Sequence, residues 1–280
     1  MKSSLLSLSL AALCGAQSAF AITWGVLDNG ANPNVGAMLV VTDNYPNTTE
    51  PRSFCSGTLI HPRIFLTAGH CTKAVEDVVA NGAYRLDDLR IGLGDNAYDP
   101  GTWHEIEAVI THPGFRPTPD SAGAGPMIDV GLVILKRPVV GIEPAALAPE
   151  GWLDFLKATG QLRDKGDAAQ FTSVGYGTSL TWPPPEIISG DGIRRRADSS
   201  YQSLIKHWLM MSQNQATGNG GTGYGDSGGP TFWTDPATGQ KLLVANTSRG
   251  DIPTVATGVS FRIDIPESLD FIQAVANALR

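Results

Sequence analysis

The sequence predicts an all-β chain, a sandwich or barrel, with one helix at its C-terminal end. Two observations carry the strands. Short apolar runs recur along the whole chain between turn signals. Glycine (32) and proline (19) are abundant, which favours turns and short strands over long helices. The third observation is helical spacing in "IPESLDFIQAVANALR". There Pro266 stands near a helix start, Glu267 and Asp270 fall in the first turns, and Leu269, Ile272, Val275 and Leu279 share one side. With 280 residues, 42% hydrophobic and 17% charged, the chain is long enough for a sizeable core.

The N-terminus reads as an export signal over residues 1–21. Lys2 supplies the positive start and "LLSLSLAALCGA" an apolar stretch too short to span a bilayer. Ala19, Phe20 and Ala21 give a small-x-small cleavage pattern. The expected localisation is therefore secreted, with no membrane contact after the signal is removed. A formal charge of −7 argues against nucleic acid or an anionic membrane as partner.

The strands follow in order: "VGAMLVV", "FCSGTLI", "IFLTAGH", "WHEIEAVI", "DVGLVILK", "AQFTSVGYG", "KLLVANTS" and "TGVSFRI". Each has strand length, and most are rich in β-branched residues. Loops are expected at residues 116–127, 178–200 and 216–223. The second holds three consecutive prolines and the run Arg194, Arg195, Arg196, which reads as a solvated loop open to proteolysis. Cys14 leaves with the signal. Cys55 and Cys71 remain, and in an oxidising compartment one disulfide is the economical reading. Asn47 ("NTT") and Asn246 ("NTS") match the glycosylation acceptor pattern.

The chemistry is carried by "GYGDSGGP", residues 223–230. Ser227 sits in a G-x-S-x-G pattern, and a serine hydroxyl is a poor nucleophile until a base takes its proton. All five histidines (His61, His70, His104, His112, His207) precede Ser227, which excludes the α/β-hydrolase order of serine, acid, histidine. His70 ends an apolar strand beside Cys71, a rigid place to hold a base. His61 and His112 precede prolines, and His104 and His207 have no supporting motif. The orienting acid must be buried. Asp129 opens "DVGLVIL", where a charge is costly without a partner, whereas Asp87, Asp88, Asp95 and Asp120 lie in polar surroundings. The order is then histidine, aspartate, serine, as in the chymotrypsin type.

Taken together, "CSGTLI", "FLTAGHC", "DVGLVIL", "VGYG" and "GDSGGP" resemble the secreted trypsin-like serine proteases of the chymotrypsin fold, over essentially all of residues 22–280. The resemblance implies two six-stranded Greek-key β-barrels, about 22–145 and 146–265, with the active site between them and a C-terminal helix at about 266–279. It also implies a Cys55–Cys71 disulfide behind the histidine loop. By the same resemblance, His70 is general base and then general acid, Asp129 orients it, and Ser227 attacks the scissile carbonyl. The N–H groups of Gly225 and Ser227 would form the oxyanion hole. Ser248 would line the cleft and support Asp129. Asp226 would pair with a free ammonium on Ile22, exposed by cleavage after Ala21.

The sequence departs from that pattern at two places. Gly223 stands where the family often has a cysteine, so the loop "GNGGTGYG" is expected to lack a brace. Gly221 stands where enzymes that cleave after Arg or Lys carry an aspartate. Gly250 and Gly258 would wall the pocket and leave room for a large side chain, and only the nearby Asp251 offers a charge. The expected function is a secreted serine endopeptidase, not trypsin-like in specificity, acting as a monomer on protein or peptide substrates. No cofactor is expected, and no metal, because the histidines lack ligand spacing. The alternative is an inactive secreted binding protein on a protease fold. The intact His70, Asp129 and Ser227 favour the enzyme.

Overall fold

The structure is a computed structural model and describes residues 22–42, 51–116, 127–165, 169–181, 186–188, 190–251 and 254–279. The signal segment, Asn47 and Asp120 lie outside them. A short strand, β1 (Val26–Leu27), comes first. Six strands then form a closed barrel: β2 (Val35–Val40), β3 (Arg52–His61), β4 (Ile64–Thr67), β5 (Leu89–Gly92), β6 (Trp103–Thr111) and β7 (Gly131–Leu135), in the order β2-β3-β4-β7-β6-β5.

The second half adds β8 (Gln170–Gly175), a separate hairpin of β9 (Ser179–Thr181) and β10 (Glu186–Ile188), then β11 (Arg195–Leu204), β12 (Trp208–Ser212), β13 (Pro230–Thr234), β14 (Lys241–Gly250) and β15 (Thr257–Arg262). The sheet order is β1-β11-β12-β15-β14-β13-β8, and β8 pairs back onto β11, so six of these strands close a second barrel. The predicted two-barrel fold is therefore what the chain adopts. The N-terminal β1 pairs with the second barrel: Val26 and Leu27 lie opposite Arg196 and Arg195.

The apolar runs are continuous because both faces of many strands are covered. In β7, Leu132 and Ile134 enter one buried cluster while Val133 and Leu135 enter another. The first of these clusters spans both barrels, with Leu39, Ile64 and Leu66 meeting Tyr176, Phe232 and Phe261. The two barrels are thus joined through shared core, which holds groups from each at a fixed separation. The predicted C-terminal helix is α3 (Pro266–Ala278), whose Ile272, Val275 and Leu279 pack on that same cluster.

Two helices escaped the sequence reading. The first is α1 (Gly69–Ala80), which begins inside "FLTAGHC" with Ala68 at its N-cap and no capping side chain. The usual start signal is therefore missing. The second is α2 (Trp152–Ala158), entered through Gly151 at φ 71°. Among the described residues no helix is long and apolar enough to cross a membrane.

The expected loop at 178–200 is corrected: it contains β9, β10 and the first residues of β11. The basic run within it is not solvated. Arg194 and Arg195 are 2% and 3% exposed. The Arg194 guanidinium donates to Asp28 at 3.0 Å, to the Val35 carbonyl at 2.9 Å, to the Tyr176 hydroxyl at 3.0 Å and to Asp95. Arg195 forms a two-pronged pair with Asp191. Asp88, read as solvated, is also buried, held by the Arg85 N–H and side chain. Asn246 is fully buried and its Nδ2 donates to the Asp129 carbonyl, so the acceptor pattern there is closed to glycosylation.

Candidate active site

His70 lies in the first turn of α1, immediately after β4, and the Cys55–Cys71 disulfide ties that turn to β3. The expected pairing of these cysteines is present. The two sulfurs and a His70 ring nitrogen lie within 4.8 Å of one another, but the sulfurs are bonded together and offer no thiolate to a metal.

Asp129 precedes β7 and is wholly buried. Its carboxylate accepts the His70 main-chain N–H at 2.9 Å and faces His70 Nδ1 at 3.0 and 3.2 Å. Ser248 Oγ, from β14 of the other barrel, donates to the same carboxylate. A sealed carboxylate with three donors is a satisfied one, which answers the cost of placing it at the head of an apolar strand. It also fixes the ring. With Nδ1 turned to the acid, the His70 side chain, 37% exposed, keeps Nε2 for another partner.

Ser227 reaches this place from the second barrel. Its carbonyl accepts the Ser56 N–H at 2.8 Å and lies 3.7 Å from Cys71 Sγ. The turn that carries it is forced by close approach. A Cβ on Gly228 (φ 80°) would stand 2.0 Å from Thr67 Oγ1 and 2.6 Å from the Ala68 nitrogen. Glycine at 228 thus lets the serine turn press against the strand end that leads to His70. Among the described residues no hydrogen bond joins the Ser227 hydroxyl to His70. Proton transfer requires the two to close to about 2.6–3.2 Å, and such bonds often tighten only with substrate bound.

Gly225 has φ 91°, and its carbonyl accepts the Ser56 hydroxyl at 3.1 Å. That bond turns the carbonyl inward. Among the described residues neither the Gly225 N–H nor the Ser227 N–H donates to a protein acceptor. Two free donors flanking a half-buried serine are suited to a developing oxyanion. A cavity of about 530 Å³ opens beside them, lined among others by Phe54, Val75, Tyr84, Tyr98 and Tyr224.

Asp226 points the opposite way, into the protein, and is wholly buried. It accepts the N–H groups of Gly177 and Gly223, each at 2.8 Å, and that of Ile22, which is itself fully buried. Burial pushes the Asp226 carboxyl up to about 7, against the downward pull of those three N–H groups. The structure therefore brings Ile22 and Asp226 together.

The segment 219–223 is braced, contrary to expectation. Gly221 donates to the Thr23 carbonyl and Gly220 to the Asp198 carbonyl, while Ser199 Oγ donates to the Gly220 carbonyl at 2.6 Å. A cysteine at 223 would not fit, since a Cβ there meets the Thr178 carbonyl oxygen at 2.1 Å. Asp251 is spent on its own turn, accepting the N–H groups of Val255, Ala256 and Thr257. The room that Gly221, Gly250 and Gly258 leave is occupied by the Gln213 side chain.

Sequence reasoning missed Gln213 and Ser56, and read Asn246 only as a glycosylation acceptor, not as a donor to the Asp129 carbonyl. Ser56 lies inside the quoted "CSGTLI", and its role depends on a partner 169 positions away. Gln213 stands in a polar stretch with no motif.

A two-barrel fold with a histidine paired to a buried aspartate, and the serine of "GDSGG" held against the cysteine beside that histidine, is the arrangement of the chymotrypsin class, and comparison with known proteins agrees. The family model described as Trypsin matches residues 29–264, and the chain belongs to that family. It is similar to the clotting factor G beta subunit of Tachypleus tridentatus, 25% identical over 244 residues, covering 81% of this chain and 74% of that protein. It is similar to CLIP domain-containing serine protease B10 of Anopheles gambiae, 28% identical over 235 residues, which is 73% of this chain and 59% of the relative. A 66-residue stretch, 23% of this chain, is 39% identical to human granzyme M and spans 22% of it.

Proposed function

We propose that the chain is a secreted serine endopeptidase that cleaves protein or peptide substrates through an acyl-enzyme on Ser227. The observation that carries the reading is the Asp129 carboxylate, sealed from water and held by His70 and Ser248 from two different barrels. A carboxylate sealed in this way is expensive to bury and has no packing role that an apolar residue would not fill. In this reading Asp129 holds the His70 tautomer and stabilises the imidazolium. His70 takes the Ser227 proton and returns it to the leaving amine, and the Gly225 and Ser227 N–H groups receive the oxyanion. Gly221, Gly250 and Gly258 bound the substrate pocket.

The mature chain begins at Ile22 in this reading, without a separate propeptide. The freed ammonium pairs with Asp226 and holds the turn that carries Gly225 and Ser227. The supporting observation is that the Ile22 nitrogen already lies at the Asp226 carboxylate.

The test is labelling of the secreted protein with an organofluorophosphonate, together with hydrolysis of a peptide library. Label at Ser227 and turnover are expected. Both should vanish in Ser227→Ala, with turnover lower by on the order of 10⁶ and folding intact. A folded protein beginning at Ile22 that neither labels nor cleaves would overturn the peptidase and leave a binding protein on the same fold.

A further inference from the structure

Three glycines of the proposed substrate pocket converge on one side chain from outside the pocket's own loops. A Cβ on Gly221 would stand 2.1 Å from Gln213 Nε2 and 2.3 Å from its Cγ. A Cβ on Gly258 would stand 3.4 Å from the Gln213 Cδ, and one on Gly250 3.8 Å from its Oε1. Gln213 follows β12 and extends between these three backbones. The absence of side chains at 221, 250 and 258 therefore does not leave an open slot, because an amide fills it.

The amide is fixed. Gln213 is 1% exposed, its main-chain N–H donates to the Ala256 carbonyl at 2.9 Å, and Nε2 donates to the Thr222 carbonyl at 2.8 Å. Because Thr222 offers an acceptor, the atom facing it is the nitrogen, and Oε1 is the end that points toward Gly250. Among the described residues that Oε1 is buried without a hydrogen-bond partner. The Nε2 bond satisfies the Thr222 carbonyl, but the orphaned Oε1 carries a desolvation cost that this one bond offsets only in part. Stability alone is thus a weak reason for glutamine at this place.

We propose that Gln213 is a specificity-determining residue that raises the floor of the pocket. Substrates would then carry a short, uncharged side chain on the acyl side of the cleaved bond. The inference rests on the peptidase reading and goes beyond it in naming the substrate class. A long side chain entering between Gly250 and Gly258 must overlap the Gln213 amide, which is held through Nε2 to the Thr222 carbonyl, and overpacking of this kind is resisted. A cationic side chain meets no carboxylate there, since position 221 is glycine and Asp251 is bound to its own turn. Asn, Ser, Ala and Thr are short enough to stop above the amide.

The experiment compares matched peptide substrates with Ala, Ser, Phe, Leu and Arg at the acyl-side position, on the wild type, Gln213→Ala and Gln213→Met. Labelling by a fluorophosphonate lacking a side chain at that position reports an intact active site in each protein. The wild type should favour Ala or Ser over Phe by about a hundredfold in kcat/KM. Gln213→Ala should raise kcat/KM for Phe or Leu at least tenfold. Gln213→Met keeps the volume, and should keep the wild-type size preference. If Gln213→Ala does not fold, the wild-type profile and Gln213→Met still decide. A labelled wild type that cleaves best after Phe, Leu or Arg overturns the inference and leaves the peptidase standing. So does a labelled Gln213→Ala with an unchanged profile. Failure of every folded variant to label overturns the peptidase reading and the pocket with it.

Discussion

The main-chain nitrogen of Ile22 lies against the carboxylate of Asp226, a residue of the other half of the chain. With Ile22 in a peptide bond, that carboxylate receives only N–H dipoles, and burial holds its pKa near 7. The folded value lies above the ordinary carboxylate value, so the group contributes stability that is full below about pH 4. That contribution is lost as pH rises to about 7, in total up to about 4 kcal/mol. A free Ile22 ammonium supplies the missing opposite charge and removes the penalty.

A version extended ahead of Ile22 is therefore expected to lose stability between about pH 4 and 7 relative to its own Asp226→Asn variant. The version beginning at Ile22 should show no such loss. Denaturant midpoints at pH 5 and pH 8 for the four proteins measure it, and identical pH dependence in all four refutes the charge pairing. The extended form should also turn over peptide substrates weakly.

Arg194 supports a second expectation. It is buried and bonded to Asp28, Asp95, Tyr176 and the Val35 carbonyl, so it ties the N-terminal segment and the first barrel to β8 and β11. Arg194→Ala strands the buried Asp28, and should cost about 3–5 kcal/mol in urea unfolding. Arg196→Ala, next but one in the same run, lacks this web and should cost clearly less. Equal losses would mean that the run acts only as strand backbone.

These two sites mark what the sequence made legible. The strands, α3, the histidine, aspartate and serine, and the disulfide rest on short-range patterns: apolar runs, a capping proline, a glycine-rich turn. Such patterns are written within a few residues. The fate of Arg194 depends on Asp28 and Asp95, which are far away in the chain, and a run of like charges carries no mark of who neutralises it. The same holds for Gln213, which reaches Gly221 and Gly258 from a polar stretch. The missed α1 has a local cause, since Ala68 gives no capping side chain and the apolar run of β4 leads straight into it.

Ser248 bonds the buried carboxylate of Asp129 from the second barrel. Removing a hydrogen bond to a charged group costs about 1.5–3 kcal/mol. Ser248→Ala should therefore lower kcat by about ten- to a hundredfold, while fluorophosphonate labelling persists at a slower rate. Unchanged kcat would show that His70 alone suffices to hold the acid.

The Cys55–Cys71 bridge closes a short loop, 16 residues apart in sequence, that contains β4 and the first turn of α1. A loop of that size restrains the unfolded chain by about 3 kcal/mol. The bridge also has a positional effect, because Cys71 adjoins His70 and its sulfur touches the Ser227 carbonyl. Replacing both cysteines with alanine should lower stability by about 3 kcal/mol in denaturant. It should also reduce turnover beyond what that loss explains, since His70 and Ser227 then share one less fixed point. Activity measured well below the unfolding midpoint separates the two effects. A doubly substituted protein with full turnover there would assign the disulfide to stability alone.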